Sequence, residues 1–536
     1  MKNMRRYLAV IFSAIFFISV IFTGCGNGIN VGDFFSGDQT EESAEIRIAV
    51  ESMETLNPAI SKQEDCYQIS KLIYSGLFYL DEQLIPQVDL AKSFVYSEDR
   101  SSVDITLRDD VLWHDGEHFT ADDVVFSVQA YLALAETGTT IYSEYVRNIR
   151  SVHATGDYTV RITFGQDAAV GMENLIFPIL PKHQFSSVRA LQNAAADFEP
   201  IGTGKYKVES YNALTQLVLA ANEKYYGTPA ENRLVFQILP DRNDGVNLTK
   251  VQDVMLLFNN EYERNTLLAN RNLSIKSFPS NVTELVIFNC SRPVLSEKSV
   301  RQALSYLIDT EKILKDIYYQ NGILTDSFLF NGFFGAENQG DLYEKDVERA
   351  KELLSSAGYR DRDTDGYLED TDGNELVFVL LVNQEDVFKV ATANSIKNDI
   401  EQCGILVNID FAEKDRYSEK LSAHDFDLAV ASCSVNERHD LRSLLHSEYN
   451  NIASYENNMV DTLTTELVSG YNTREKAELV LRLKGILADE IPYYPLFCKT
   501  YGAIYVPNLT GSLEPVFHDF YRNAAEWRCM KKIQNN

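Results

Sequence analysis

Cysteine is scarce and scattered in this 536-residue chain: Cys25, Cys66, Cys290, Cys403, Cys433, Cys498 and Cys529, with no CxxC pair. That spacing argues against a zinc knuckle or a dithiol redox motif. In an exported chain some of these thiols could form disulfides, and buried free thiols are the equal alternative. Histidine is rare too, eight residues with no short ligand-spaced cluster. Basic residues are outnumbered 78 to 49, a formal net charge of −29. A field of that sign repels phosphate backbones and anionic headgroups, which excludes nucleic acid as a partner and an electrostatic grip on a membrane. No GxSxG, HExxH, Walker A or GxGxxG stretch occurs, so a secreted hydrolase stays a remote alternative. "GTGKY" (202–206) has glycines and a lysine without phosphate-loop spacing, and reads as a turn before a strand.

One long apolar run is present. Lys2, Arg5 and Arg6 precede the nearly uncharged stretch Tyr7–Phe22, and small residues Thr23 and Gly24 lead to Cys25. A basic start, an apolar stretch and small residues make an export signal over 1–24. The Thr-Gly-Cys junction resembles the lipobox of bacterial lipoproteins, with Phe22 where Leu, Val or Ile is usual. The resemblance implies lipidation of Cys25 as residue one of the mature chain. The alternatives are an ordinary secretory signal and an uncleaved anchor. Residues 25–45 are rich in Gly, Ser, Asn and acid, the composition of a flexible tether.

The whole chain is 45% hydrophobic and 11% aromatic, enough for large cores in the body that starts at about Ile46. Strand-like alternation ("EIRIAV", "SVDITL", "YTVRITF", "LVFQIL", "ELVIFNC", "ELVFVLLV") is interleaved with helical stripes ("TADDVVFSVQAYLALA", "EKSVRQALSYLID", "DVERAKELLSSAG"). That predicts a mixed α/β (α+β) fold in two or three lobes. Thr120 is placed as a helix N-cap with Asp123 in the first turn, and Asp115–Gly116 as a turn.

Several stretches, in order, resemble the bacterial extracellular solute-binding proteins of family 5, the peptide receptors of ABC importers. They are "TLNPAIS", "LIYSGLFYLDEQLIPQVDLAKSF", "DITLRDDVLWHDGEHFTADDVVFS" around a Trp-x-Asp-Gly core, "PIGTGKYKVESY", "LAANEKYYGTPA", "VIFNCSRPVLSEKSVRQALSYLID", and "AKELLSSAGYRDRDTDG" with "IEQCGILVNI" and "DFDLAV". The resemblance covers about 46–510 and implies a two-lobe periplasmic-binding-protein-like fold. A ligand cleft would lie between the lobes, and an extra domain would be inserted in the first. Carried to this numbering, the first lobe is 46–75, 197–288 and 508–536, the inserted domain 76–196, and the second lobe 289–507. The implied function is a monomeric, lipid-anchored receptor that captures peptides and delivers them to an ABC permease with its ATPase. It would stand on the outer face of the cytoplasmic membrane, or in a periplasm if an outer membrane exists. Alternatives are a signalling receptor, or an importer receptor for nickel chelate, haem or sugar.

In the family, an Asp shortly after a tryptophan fixes the peptide's α-amino group. Here "HDFDLAVASCSVNERHDL" puts Cys433 near the tryptophan position and Asn436 at the Asp position, with Glu437 and Asp440 following. Because a buried ammonium needs an ionised partner, either Glu437 or Asp440 takes that role or the solute is not a free-amine peptide; the alternative is a solvated polar loop with the site elsewhere. The loop after Pro58 adds Lys62 and Glu64 as contacts. No cofactor is required by any of this. "DRDTDGYLEDTD" (361–372) spaces Asp361, Asp363, Asp365, Tyr367, Glu369 and Asp372 like an EF-hand loop, with Asp in place of Glu at the twelfth position. It reads as a structural calcium turn, or else as an acidic surface hairpin.

Overall fold

The computed structural model describes residues 40–43, 45–51, 53–165, 171–193, 198–251, 253–259, 267, 269, 272–329, 332–333, 343–435, 437, 440–469 and 472–532. The signal, Cys25 and most of the tether lie outside them, as does Asn436. Ser43–Cys529 forms one compact unit, and everything below concerns it; of the other unit, Met1–Glu42 with Met530–Asn536, residues 40–42 are extended.

An 11-stranded mixed sheet runs through the unit. At its centre two long strands, Ser274–Phe288 and Tyr493–Tyr505, pair antiparallel from Ser274↔Tyr505 to Ile287↔Tyr493. On one side follow Leu256–Asn259, Glu45–Glu51, Arg233–Leu239, Gln216–Ala221 and Tyr206–Asn212; on the other, Leu428–Ser434, Val377–Asn383 and Leu406–Ala412; the eleventh, Gly322–Ile323, pairs with Tyr493–Tyr505 off this path. Glu45–Glu51 pairs parallel with Arg233–Leu239 and alternates as its sequence predicts, with Ile46, Ile48 and Val50 buried.

Both long strands cross from one lobe to the other. At one end Phe278 and Ala503 join a core with Ile48, Phe236 and Trp527; at the other Val286 and Phe497 join a core with Leu304, Ile396 and Val430. Between these ends the ladder breaks twice, between Pro279 and Thr283 and between Glu284 and Leu285. Proline has no N–H to give a ladder, and interrupted pairing lets a strand bend. The breaks therefore leave both crossing strands irregular midway between the two cores.

A separate antiparallel sheet, in the order Ala91–Tyr96, Ser102–Leu107, Thr159–Phe164, Ile149–Gly156, packs with the helix Ala121–Glu136 around Trp113, Phe119 and Tyr131. The Trp-x-Asp-Gly stretch is architectural. Gly116 has φ of +99°, which favours glycine, and its N–H donates to the Trp113 carbonyl at 2.9 Å. Asp123 accepts from the backbone N–H of Thr120 and of Lys182, each at 2.9 Å, and so ties the helix start to a distant loop.

His114 docks this turn onto "GTGKY". Its Nδ1 accepts from Gly202 N–H at 3.1 Å and its Nε2 donates to the Gly204 carbonyl at 3.2 Å, so the ring is satisfied as the neutral form. Burial pushes its pKa down to about 4. Between the usual histidine value and 4 the unfolded chain binds a proton that the folded chain does not, so this group lowers stability as pH falls. The stability difference between the native protein and a His114→Gln variant should narrow on acidification from pH 6.5 to 4, by at most about 1.4 kcal/mol per pH unit. Urea titrations at three pH values check this. The glycines themselves are held by packing: a Cβ on Gly202 would lie 1.8 Å from the Ile73 carbonyl oxygen. Gly202→Ala should therefore cost about 3 kcal/mol or more, readable in the same titrations.

Candidate functional site

The carboxyl end of Leu428–Ser434 pairs with the first crossing strand beside these breaks, and Val377–Asn383 runs parallel on its other side. Ligands in α/β sheets gather at such ends. A cavity of about 300 Å³ lies there, lined by Leu285, Ile287, Asn383, Lys389, Cys433 and Tyr493 among others. Its lining mixes aliphatic side chains with two tyrosines, the Asn383 amide and Lys389, whose ammonium donates to Asp386 at 2.9 Å. Cys433 is buried opposite Thr283 on the neighbouring strand, and burial pushes its thiol up to about 12, so it contributes shape and not nucleophilicity. Glu284 is buried nearby and accepts from the Ser432 hydroxyl at 2.9 Å; burial raises its carboxyl, with Lys389 and Lys499 acting the other way.

The chain leaving Leu428–Ser434 then carries Glu437 across to the other lobe. Its side chain is only 8% exposed, and each oxygen receives one tyrosine hydroxyl, Tyr67 on Oε1 and Tyr145 on Oε2, both at 3.0 Å. Tyr67 belongs to the helix Glu64–Ile73 and Tyr145 to the short helix Ser143–Val146. Burial alone would raise the Glu437 carboxyl, but the Lys71 ammonium and the donated hydrogen bonds hold it below the usual range. Lys71 sits one turn after Tyr67, 4.0 Å from the centre of that ring, and donates to the His518 carbonyl. Glu437 is thus an ionised carboxylate, fixed by neutral donors. A carboxylate offers about four lone-pair directions, so acceptor capacity remains for a cation.

The other sequence-derived candidates separate from this point. Asp440 forks onto Arg442 at 2.9 and 2.7 Å and is committed within its own loop. Lys62 is exposed and donates to the Gly138 carbonyl at 3.1 Å. Glu64 accepts from Gln68 at 2.7 Å; burial raises its carboxyl, and its charge is felt at Glu437. Sequence reasoning missed Tyr67, Lys71 and Tyr145. The i, i+4 spacing of Tyr67 and Lys71 puts them on one helix face, the only signal available. In "GTGKY" the N–H groups of Gly202 and Gly204 go to His114 and to the Ile73 carbonyl, so they are spent inside the fold and unavailable to a phosphate.

In the acidic loop, Asp361, Asp363, Asp365 and Glu369 bring one carboxylate oxygen each within 4.8 Å of one another, while Asp372 falls outside that group. Asp361 accepts from the N–H of Thr364 and Gly366, and Asp365 from that of Tyr367. These bonds curl the loop so that the carboxylates converge. The helix Val347–Ser356 precedes it and the strand Val377–Asn383 follows, so it is not half of a helix pair.

Known proteins resemble the chain over most of its length. The oligopeptide-binding protein AppA of Bacillus subtilis is 25% identical over 552 residues, covering 98% of this chain and 99% of its own. The glutathione-binding protein GsiB of Salmonella paratyphi A is 25% identical over 476 residues, 85% of this chain and 89% of its own. Among solved structures, NikZ from Campylobacter jejuni in complex with Ni(L-His) superposes with a TM-score of 0.66 at 26% identity, over 90% of this chain and 99% of that one. HbpA2 from Haemophilus parasuis gives a TM-score of 0.78 at 20% identity, over 91% and 100%, a likeness of fold. No helix among the described residues is long and apolar enough to cross a membrane. The two-lobe fold of these relatives and the match of residues 86–451 to the family model agree: the chain belongs to the bacterial extracellular solute-binding proteins, family 5.

Proposed function

We propose that this protein is a lipid-anchored, extracytoplasmic receptor that captures short peptides and delivers them to an ABC permease. The observation that carries this reading is Glu437, a buried, ionised carboxylate at the meeting of the lobes with acceptor capacity left over. It takes the peptide's α-ammonium in place of the Asp that the family's anchor position lacks here. The cavity beside Cys433 takes an adjacent side chain, with Lys389 in its lining. Bending at the interrupted strand pairs opens and closes the cleft. The protein binds and releases without catalysis, and Cys25 carries the lipid.

Native mass spectrometry of protein purified from rich medium without denaturation tests the reading. A heterogeneous set of short-peptide adducts is expected. A single nickel-containing or other non-peptide adduct would overturn the peptide assignment. For the anchor, Cys25→Ala should release the protein from membranes into the medium or periplasm, and retention on the membrane would refute it.

The same proposal assigns a structural calcium ion to Asp361, Asp363, Asp365 and Glu369, the four that converge, with Tyr367 offering its carbonyl. Hard carboxylate oxygens in a flexible loop suit that ion. Chelation should lower the melting temperature and added calcium should restore it. Asp363→Asn with Asp365→Asn should abolish the response while leaving peptide binding intact.

A further inference from the structure

We propose that a second cavity, of about 390 Å³, binds a free α-amino acid independently of the cleft. It lies among Leu72–Gly76, Tyr79–Leu80, Gly204–Tyr206 and the segment around His518–Asn523, and no residue of 289–507 lines it. It is therefore separate from the cavity at Cys433; Glu437 does not line it, although Lys71 and His518, which do, also act on the Glu437 carboxylate.

Three cationic side chains, Lys71, Lys205 and Arg522, line it in a chain whose net charge is −29. Lys71 donates to the His518 carbonyl, which accounts for one of its three N–H bonds, and Lys205 stands 5.8 Å from the centre of the Tyr225 ring. Arg522 pairs with Glu82 at 2.6 Å and keeps further donors. This concentration of donors fits a carboxylate. Two acids, Asp89 and Asp519, share the lining. Asp89 accepts from Tyr226, and Asp519 from the Tyr521 N–H at 3.2 Å. Their remaining oxygen positions fit an ammonium.

His518 points to a ligand that also donates. It is 4% exposed, and its Nε2 must carry the proton because it faces the Leu80 carbonyl at 3.3 Å. Nδ1 is then an acceptor, and it is buried with no hydrogen-bond partner among the described residues. Buried polar atoms in folded proteins nearly always have one. A compact zwitterion meets all three demands: carboxylate toward Lys71 and Lys205, ammonium toward Asp519 and Asp89, and an N–H for His518. The volume lies at the small-ligand end of natural pockets, with tyrosine faces to cover an apolar side chain.

Calorimetric titration of the full mature chain with L-alanine, L-leucine, L-glutamate, lactate and acetate tests the proposal. At least one amino acid should bind saturably at one per chain, with lactate and acetate at least tenfold weaker. Binding should survive Glu437→Gln and weaken at least tenfold in the Lys205→Gln, Arg522→Gln double variant. That variant should keep its circular dichroism and its affinity for peptides. If no ligand binds saturably the cavity holds only water, and the proposal fails. It also fails if lactate binds as tightly as the amino acid, or if Glu437→Gln abolishes amino-acid binding while the double variant retains it.

Discussion

Lys476→Met is expected to destabilise the protein by about 3–5 kcal/mol, the usual cost of leaving one member of a buried ion pair without the other. Lys476, in the first turn of the helix Thr473–Glu490, pairs with Glu173, in the single turn Met172–Asn174, and the two side chains are 4% and 5% exposed. The partners are 303 residues apart in sequence and meet only through their side chains. Two charges removed from water together tolerate burial because each compensates the other. One alone does not. Replacing both, Glu173→Leu with Lys476→Met, should recover most of the loss, since apolar pairs of similar volume often match buried ion pairs in stability. Because the pair ties the turn Met172–Asn174 to the helix Thr473–Glu490, the single variant should also loosen that contact, seen as a larger radius of gyration in solution scattering. A loss under about 1 kcal/mol, with unchanged scattering, would show that the pair bears no load.

Glu437→Gln should weaken peptide binding by about 2–5 kcal/mol, the range seen when one partner of a buried charge pair is removed; that corresponds to roughly 30-fold to several-thousand-fold in Kd. The amide keeps the shape, and its oxygen still accepts from a tyrosine. What disappears is the negative charge that balances the ligand's ammonium and the nearby Lys71. Folding should change far less than binding, because the tyrosine hydroxyls keep a polar partner. Calorimetry for affinity and urea titration for stability separate the two effects. Equal affinity in the variant and the native protein would remove Glu437 from the site.

The architecture was legible because it rests on local patterns. Alternation in "EIRIAV", the acid-rich helix start after Thr120 and the turn at Asp115–Gly116 each have a short-range cause, and each forms as such. The ordered family-like blocks added the two-lobe arrangement, which relatives of the same fold share. The site was legible only in part. Glu437 was visible as an acid next to a neutral Asn, but Asp440 looked equivalent until its fork with Arg442 was seen. Tyr67 and Tyr145 meet Glu437 from 370 and 292 residues away, and nothing local marks a tyrosine that will point at a carboxylate across a cleft. The buried pair of Glu173 and Lys476 was hidden for the same reason, since in so acidic a chain one more glutamate carries no signal. The calcium-like loop is the opposite case: its spacing is local, so the convergence of four of its carboxylates follows from the sequence directly.

Recognition of a free amino terminus by the buried Glu437 carboxylate can be tested without altering the protein. The most direct measurement is a paired titration of the native protein with a defined tetrapeptide pool and with its Nα-acetylated counterpart. Acetylation removes the ammonium and leaves the peptide backbone and side chains, so the account predicts a loss of at least about 30-fold in affinity. In Glu437→Gln that difference should shrink to a few-fold. Equal affinity of the native protein for free and acetylated peptides would contradict the account.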